Sequence, residues 1–87
     1  MPEYVVISNL IAKPEEAGPY REAHFNYLSK LKNEGKLQIA GRFADGKGGI
    51  YILVASSDEE AKSLAEADPY HANGLRQFVI RKWERRL

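Results

Sequence analysis

Apolar and polar positions recur with two different periods along this chain, and the switches between them mark its elements. Tyr4-Val5-Val6-Ile7-Ser8-Asn9-Leu10 is β-branched and compact, so it predicts a strand. Lys13 to Pro19 carries two prolines and a glycine and reads as a loop feeding a helix with Pro19 in its first turn. From Tyr20 the apolar positions are 20, 23, 24 (a histidine), 27, 28 and 31, which predicts a helix with one buried face. Gly35 supplies its stop. Leu37 to Ala44 and Ile50 to Ser56 read as the second and third strands. Asp45-Gly46-Lys47-Gly48-Gly49 joins them as a hairpin loop. Ser57-Asp58-Glu59-Glu60 fits a capping box, with Ser57 as N-cap and Glu60 three residues later. The helix it opens runs to about Ala67 and buries Ala61, Leu64 and Ala65. Asp68-Pro69 breaks it, a short turn follows, and Leu75 to Trp83 is the fourth strand.

The order β-α-β-β-α-β predicts an α+β, ferredoxin-like domain spanning 1–87, an antiparallel sheet with two helices on one face. The third strand offers Ile50, Ile52 and Val54 to one side and Tyr51, Leu53 and Ala55 to the other. A sheet covered on one side only should alternate polar and apolar residues there. This strand does not, and no residues remain to cover its second face. The expectation is a homodimer whose two sheets pack face to face.

Composition narrows the function classes. With 87 residues the chain buries only roughly 60–65% of its unfolded surface, so association with a second copy would help it. Thirteen Lys+Arg against twelve Asp+Glu leave +1 net charge and no basic excess for nucleic acid. The absence of cysteine removes disulfides, thiolate metal sites and cysteine nucleophiles. No apolar run approaches the ~20 residues of a membrane span, and the start lacks the look of a signal peptide. A cytoplasmic protein without membrane or nucleic-acid partners is expected.

Following the strand directions places the start of the first helix, the end of the second and the 45–49 loop at one end of the sheet. His24 lies near the centre of the stripe of Tyr20, Tyr27, Leu28 and Leu31. Facing inward, its imidazole needs a partner. It reads either as a core histidine satisfied by a backbone carbonyl or as a general base held by an acid. Asp68 extends the stripe of 61, 64 and 65. It suits an N-cap ahead of Pro69, and one carboxylate can both cap and hold an imidazole. Gly41 inside a strand is compatible with close backbone or ligand approach. His71 makes a metal site with His24 and Asp68 imaginable, but two histidines on separate elements are a weak signal. Tyr27 and Tyr70 read as acid–base hydroxyls or as core rings with wet tips. The arginines and lysine around Trp83, Arg76 included, read as a solubilising tail on an edge strand.

Taken together, His24-Phe25-Asn26-Tyr27-Leu28, Leu31 to Gly35 with Leu37, Ala40-Gly41, Asp45, Gly48-Gly49, Ala67-Asp68-Pro69-Tyr70, Gly74-Leu75 and Trp83 resemble the YCII-related (YciI-like) family over nearly the whole chain. The resemblance implies a ferredoxin-like fold, dimerisation into an α+β barrel and a site centred on a histidine–aspartate pair, His24 with Asp68. Asp45 is the alternative acid. Some members of that family are enzymes, one of them dehydrochlorinating a chlorinated hydroxyquinol. The chain departs from the commonest pattern at Arg42, where proline often follows the glycine, and in its compact 45–49 loop. The resulting expectation is a small-molecule enzyme of lyase or hydrolase type, without metal or organic cofactor. Tyr27, Gly41, Phe43, Asp45 and Tyr70 are its candidate substrate-binding residues. The alternative is a dimeric module that binds a small ligand without catalysis.

Overall fold

The computed structural model describes residues 1–87. It contains β1 (Glu3–Leu10), α1 (Pro14–Ala17), a 3₁₀ turn at Gly18–Tyr20, α2 (Arg21–Asn33), β2 (Leu37–Arg42), β3 (Gly48–Val54), α3 (Asp58–Glu66), α4 (Pro69–Ala72) and β4 (Arg76–Trp83). The four strands form one antiparallel sheet in the order β2-β3-β1-β4. Each long helix thus connects two parallel strands with a third lying between them, the interleaved split β-α-β arrangement expected from the element order.

The inner face is set by period two along β1, where Tyr4, Val6 and Ser8 are buried, and along β3, where Tyr51 and Leu53 are buried. Leu28 and Leu31 of α2 and Ala61 and Ala65 of α3 close over them in one core. The helix ends follow their sequence signals. Gly35 takes φ +76°, so that Lys36 N–H reaches the Leu31 carbonyl (2.8 Å) and Gly35 N–H the Lys32 carbonyl (3.1 Å), closing α2 with a Schellman motif. Ser57 caps α3 by accepting from Glu60 N–H at 3.1 Å. The Glu60 carboxylate reaches back to Ser56 N–H (2.7 Å), one residue earlier than the capping box requires.

Several boundaries differ from the sequence reading, among them the end of β3 at Val54 instead of Ser56 and the start of β4 at Arg76 instead of Leu75. Residues 14–20 are helical turns and not an open loop, because Pro14 occupies the first turn of α1, a position that needs no N–H donor. Strand β2 ends at Arg42 instead of Ala44, and β3 begins at Gly48, two residues early. The hairpin loop is therefore 43–47, the same length as 45–49 but two residues earlier. Glycine is what permits the early start. A Cβ on Gly48 would lie 2.1 Å from the Ser8 carbonyl oxygen, and one on Gly49 would lie 2.2 Å from that of Gly41. Finally, the segment after Asp68 is a short helix, capped by Asp68 with Pro69 at its first position.

The outer sheet face is apolar and uncovered. Val5, Ile7 and Ile52 are half-buried, whereas Ile39 is 61% and Val79 55% exposed. No helix is long and apolar enough to cross a membrane.

Candidate active site

Three sequence-distant segments meet at one end of the sheet, as the strand directions require. One turn into α2, His24 projects towards Asp68, which closes α3 and opens α4. Its Nδ1 lies 2.8 Å from Asp68 Oδ1. Asp68 is fully buried. The same Oδ1 accepts the Tyr70 N–H at 2.9 Å, and Oδ2 accepts the Tyr51 hydroxyl at 3.1 Å. Burial alone would push this carboxyl up. The His24 hydrogen bond and charge, with the Tyr70 N–H, outweigh it and hold Asp68 below the ordinary carboxylate range. An ionised carboxylate only accepts, so His24 donates from Nδ1, and in the neutral imidazole Nε2 is then the nitrogen that carries no proton. That Nε2 has no partner within the chain and is not sealed from solvent. Tyr70 stacks on the imidazole (centroids 4.2 Å apart) and fixes the ring plane. Burial and then the Asp68 charge push the Tyr51 hydroxyl far above the ordinary tyrosine range, so Tyr51 stays a donor.

Beside this pair opens a hollow of about 360 Å³, within the ~300–1,000 Å³ of small-molecule sites. His24, Tyr51 and Tyr70 border it together with Phe25, Leu28, Gly41, Gly49 and three arginines, Arg21, Arg42 and Arg76. Of the sequence candidates, His24, Gly41 and Tyr70 therefore reach the hollow, and Asp68 stands behind His24. Tyr27, Phe43 and Asp45 do not border it. The Tyr27 hydroxyl donates to the Leu64 carbonyl (2.7 Å) and ties α2 to α3. Phe43 N–H closes the hairpin onto the Gly48 carbonyl (2.9 Å), and the Asp45 carboxylate accepts from Lys47 N–H (2.9 Å) in that turn. Asp68, not Asp45, pairs with His24. Gly41 contributes backbone only, since its register opposite Ile50 puts it on the outer face.

His71 does not join the pair. Its Nδ1 donates to the Ala65 carbonyl and its Nε2 meets the Ser8 hydroxyl, both at 2.7 Å, beside Phe78. No three His or acidic side chains converge to hold a metal ion. The sequence reading missed the arginines. Arg76 was grouped with the tail, although it shares the inward parity of Phe78 and Ile80 on β4.

Residues 3–84 match the model of the YCII-related domain. The chain belongs to the YCII-related family. A Bacillus subtilis (strain 168) relative, the uncharacterised protein YjpA, is 38% identical over 61 residues, covering 70% of this chain and 72% of the relative. Among solved structures, this YCII-related chain resembles the 5-chloro-2-hydroxyhydroquinone dehydrochlorinase of Burkholderia phenoliruptrix AC1100, captured with 2,5-dihydroxybenzoquinone. The TM-score is 0.80 and the identity 24%, with 94% of this chain and 93% of that one covered. It also resembles muconolactone isomerase, with a TM-score of 0.77 and 14% identity over 97% and 90% of the two chains. At these identities the likeness shows a common fold.

Proposed function

We propose that this protein is a small-molecule enzyme of lyase or hydrolase type in which His24 is the general base and Asp68 its orienting carboxylate. The observation that carries the reading is the pairing itself. One imidazole nitrogen is held by a buried, ionised carboxylate, and the ring borders an open hollow. In an elimination, His24 Nε2 would take a proton from the substrate, and the electron pair left behind would expel a leaving group from the neighbouring atom. The imidazolium formed would face the Asp68 charge. A positioned base contributes about 10²–10⁴-fold, which suits an already acidic C–H or O–H. Tyr70 and the Gly41 backbone would contact the substrate. The structural neighbours support this reading in that both are named for reactions of small molecules.

The test is solvent exchange. Small halogenated hydroxyaromatics and unsaturated lactones are incubated with the protein in D₂O, and product and deuterium incorporation are followed by NMR. Turnover or exchange that falls about 10²-fold or more in His24→Ala, with the circular dichroism spectrum retained, is expected. Ligands that bind but exchange at the same rate in both proteins would instead favour the non-catalytic binding module.

The outer face supports a homodimer in which two sheets cover each other. Its Val5, Ile7, Ile39, Ile50, Ile52 and Val79 form a continuous apolar surface across all four strands, larger than isolated apolar residues on a monomer would make.

A further inference from the structure

We infer that the hollow beside His24 takes a substrate bearing a carboxylate, held by Arg21, Arg42 and Arg76. This names the substrate class of the proposed site and rests on that reading only for the chemistry after binding. Acidic and basic residues are nearly balanced in the whole chain, twelve against thirteen. Around the hollow they are not. Three guanidinium groups line it, and no Asp or Glu does. The ion pairs that do not involve His24 lie elsewhere, at Lys36–Glu34, Arg85–Glu3 and Arg86–Glu84. Three unpaired cations around one concavity raise the local concentration of anions.

Arg76 gives the second observation. Its Nε is sealed from solvent and donates to nothing, the one buried side-chain nitrogen or oxygen without a partner. Such a donor costs stability unless an acceptor arrives. Its guanidinium lies 4.3 Å from the Tyr70 ring centroid, and Arg21 lies 5.7 Å from that of Phe25. Both heads are thus steadied on aromatic faces before any ligand binds. A planar fork of N–H donors matches the two oxygens of a carboxylate. Leu10, Phe25 and Leu28 supply apolar wall for the rest of the molecule. The charges also serve the chemistry. A substrate carboxylate opposes removal of a nearby proton, and guanidinium groups offset the negative charge that builds up.

Benzoate and its neutral isostere benzamide test the assignment in amide-resolved NMR titrations of the full chain. Saturable benzoate shifts are expected at Arg21, Phe25, Gly41 and Gly49, with benzamide about tenfold weaker or worse. Added salt should weaken benzoate alone. Arg76→Gln should weaken benzoate about tenfold and leave benzamide unchanged. Arg42→Gln, at an exposed position, should weaken benzoate severalfold. Equal binding of the two probes, no saturable benzoate binding, or shifts outside the hollow would overturn the assignment. His24→Ala separates the two readings: benzoate binding should survive it even if proton exchange proves independent of His24. Exchange confined to neutral compounds would leave the catalytic reading standing and remove this one.

Discussion

A single carboxylate organises the site. Asp68 accepts from His24, Tyr70 N–H and the Tyr51 hydroxyl while fully buried, so its three donors are not equivalent in consequence. Asp68→Asn removes the charge that fixes the His24 tautomer, and a fall in kcat of about 10²-fold or more is expected in steady-state assays. Tyr51→Phe removes one neutral donor and should cost about 1 kcal/mol in urea unfolding, with a far smaller effect on kcat. His71 governs acid stability instead. Burial, foremost, holds it below the ordinary histidine range against the opposing Ala65 carbonyl and Asp68 charge, with Arg76 and His24 adding to the depression. It is therefore neutral when folded and protonates more readily when unfolded. Its contribution is complete above about pH 6.5 and is lost as the pH falls towards the folded value. In urea unfolding from about pH 7 to about pH 5, His71→Gln should lose less stability than the parent chain. At this scale the pair was legible, because His24 and Asp68 each sit on an inward stripe. Three binding assignments, Tyr27, Phe43 and Asp45, were not. Tyr27 also faces inward, and no periodicity distinguishes a hydroxyl spent on a carbonyl from one facing a ligand.

The elements were legible where period and capping agreed, as in α2 with its Gly35 stop and α3 with its Ser57 cap. They were misjudged where proline and glycine carry two meanings. Pro14 opens a single helical turn as readily as it breaks a loop, and a glycine pair marks either a turn or strands in close approach. Gly49 is the second case, with the Gly41 carbonyl where its Cβ would be. Gly49→Ala must push β2 away from β3 and should destabilise by about 1–3 kcal/mol in chemical denaturation. Gly41→Ala, with open space around its Cβ, should change little by comparison.

For the whole molecule, chain direction alone brought the start of α2, the end of α3 and the β2–β3 hairpin to one end, because alternate strands fix where each connection emerges. What it could not supply was the cationic lining. Arg21, Arg42 and Arg76 come from three elements, and their convergence exists only once the sheet is assembled. The apolar outer face bears on assembly. If a second copy covers it, Val79→Lys should shift sedimentation equilibrium towards monomer without loss of secondary structure. The most direct test of the catalytic pair needs no substrate. Long-range ¹H–¹⁵N correlation spectra of histidine-labelled protein, recorded just above neutral pH, report which His24 nitrogen carries the proton. A proton on Nδ1 with Nε2 bare is expected, and the preference should vanish in Asp68→Asn. A proton on Nε2 in the unaltered chain would leave no base facing the hollow and would contradict the proposed chemistry.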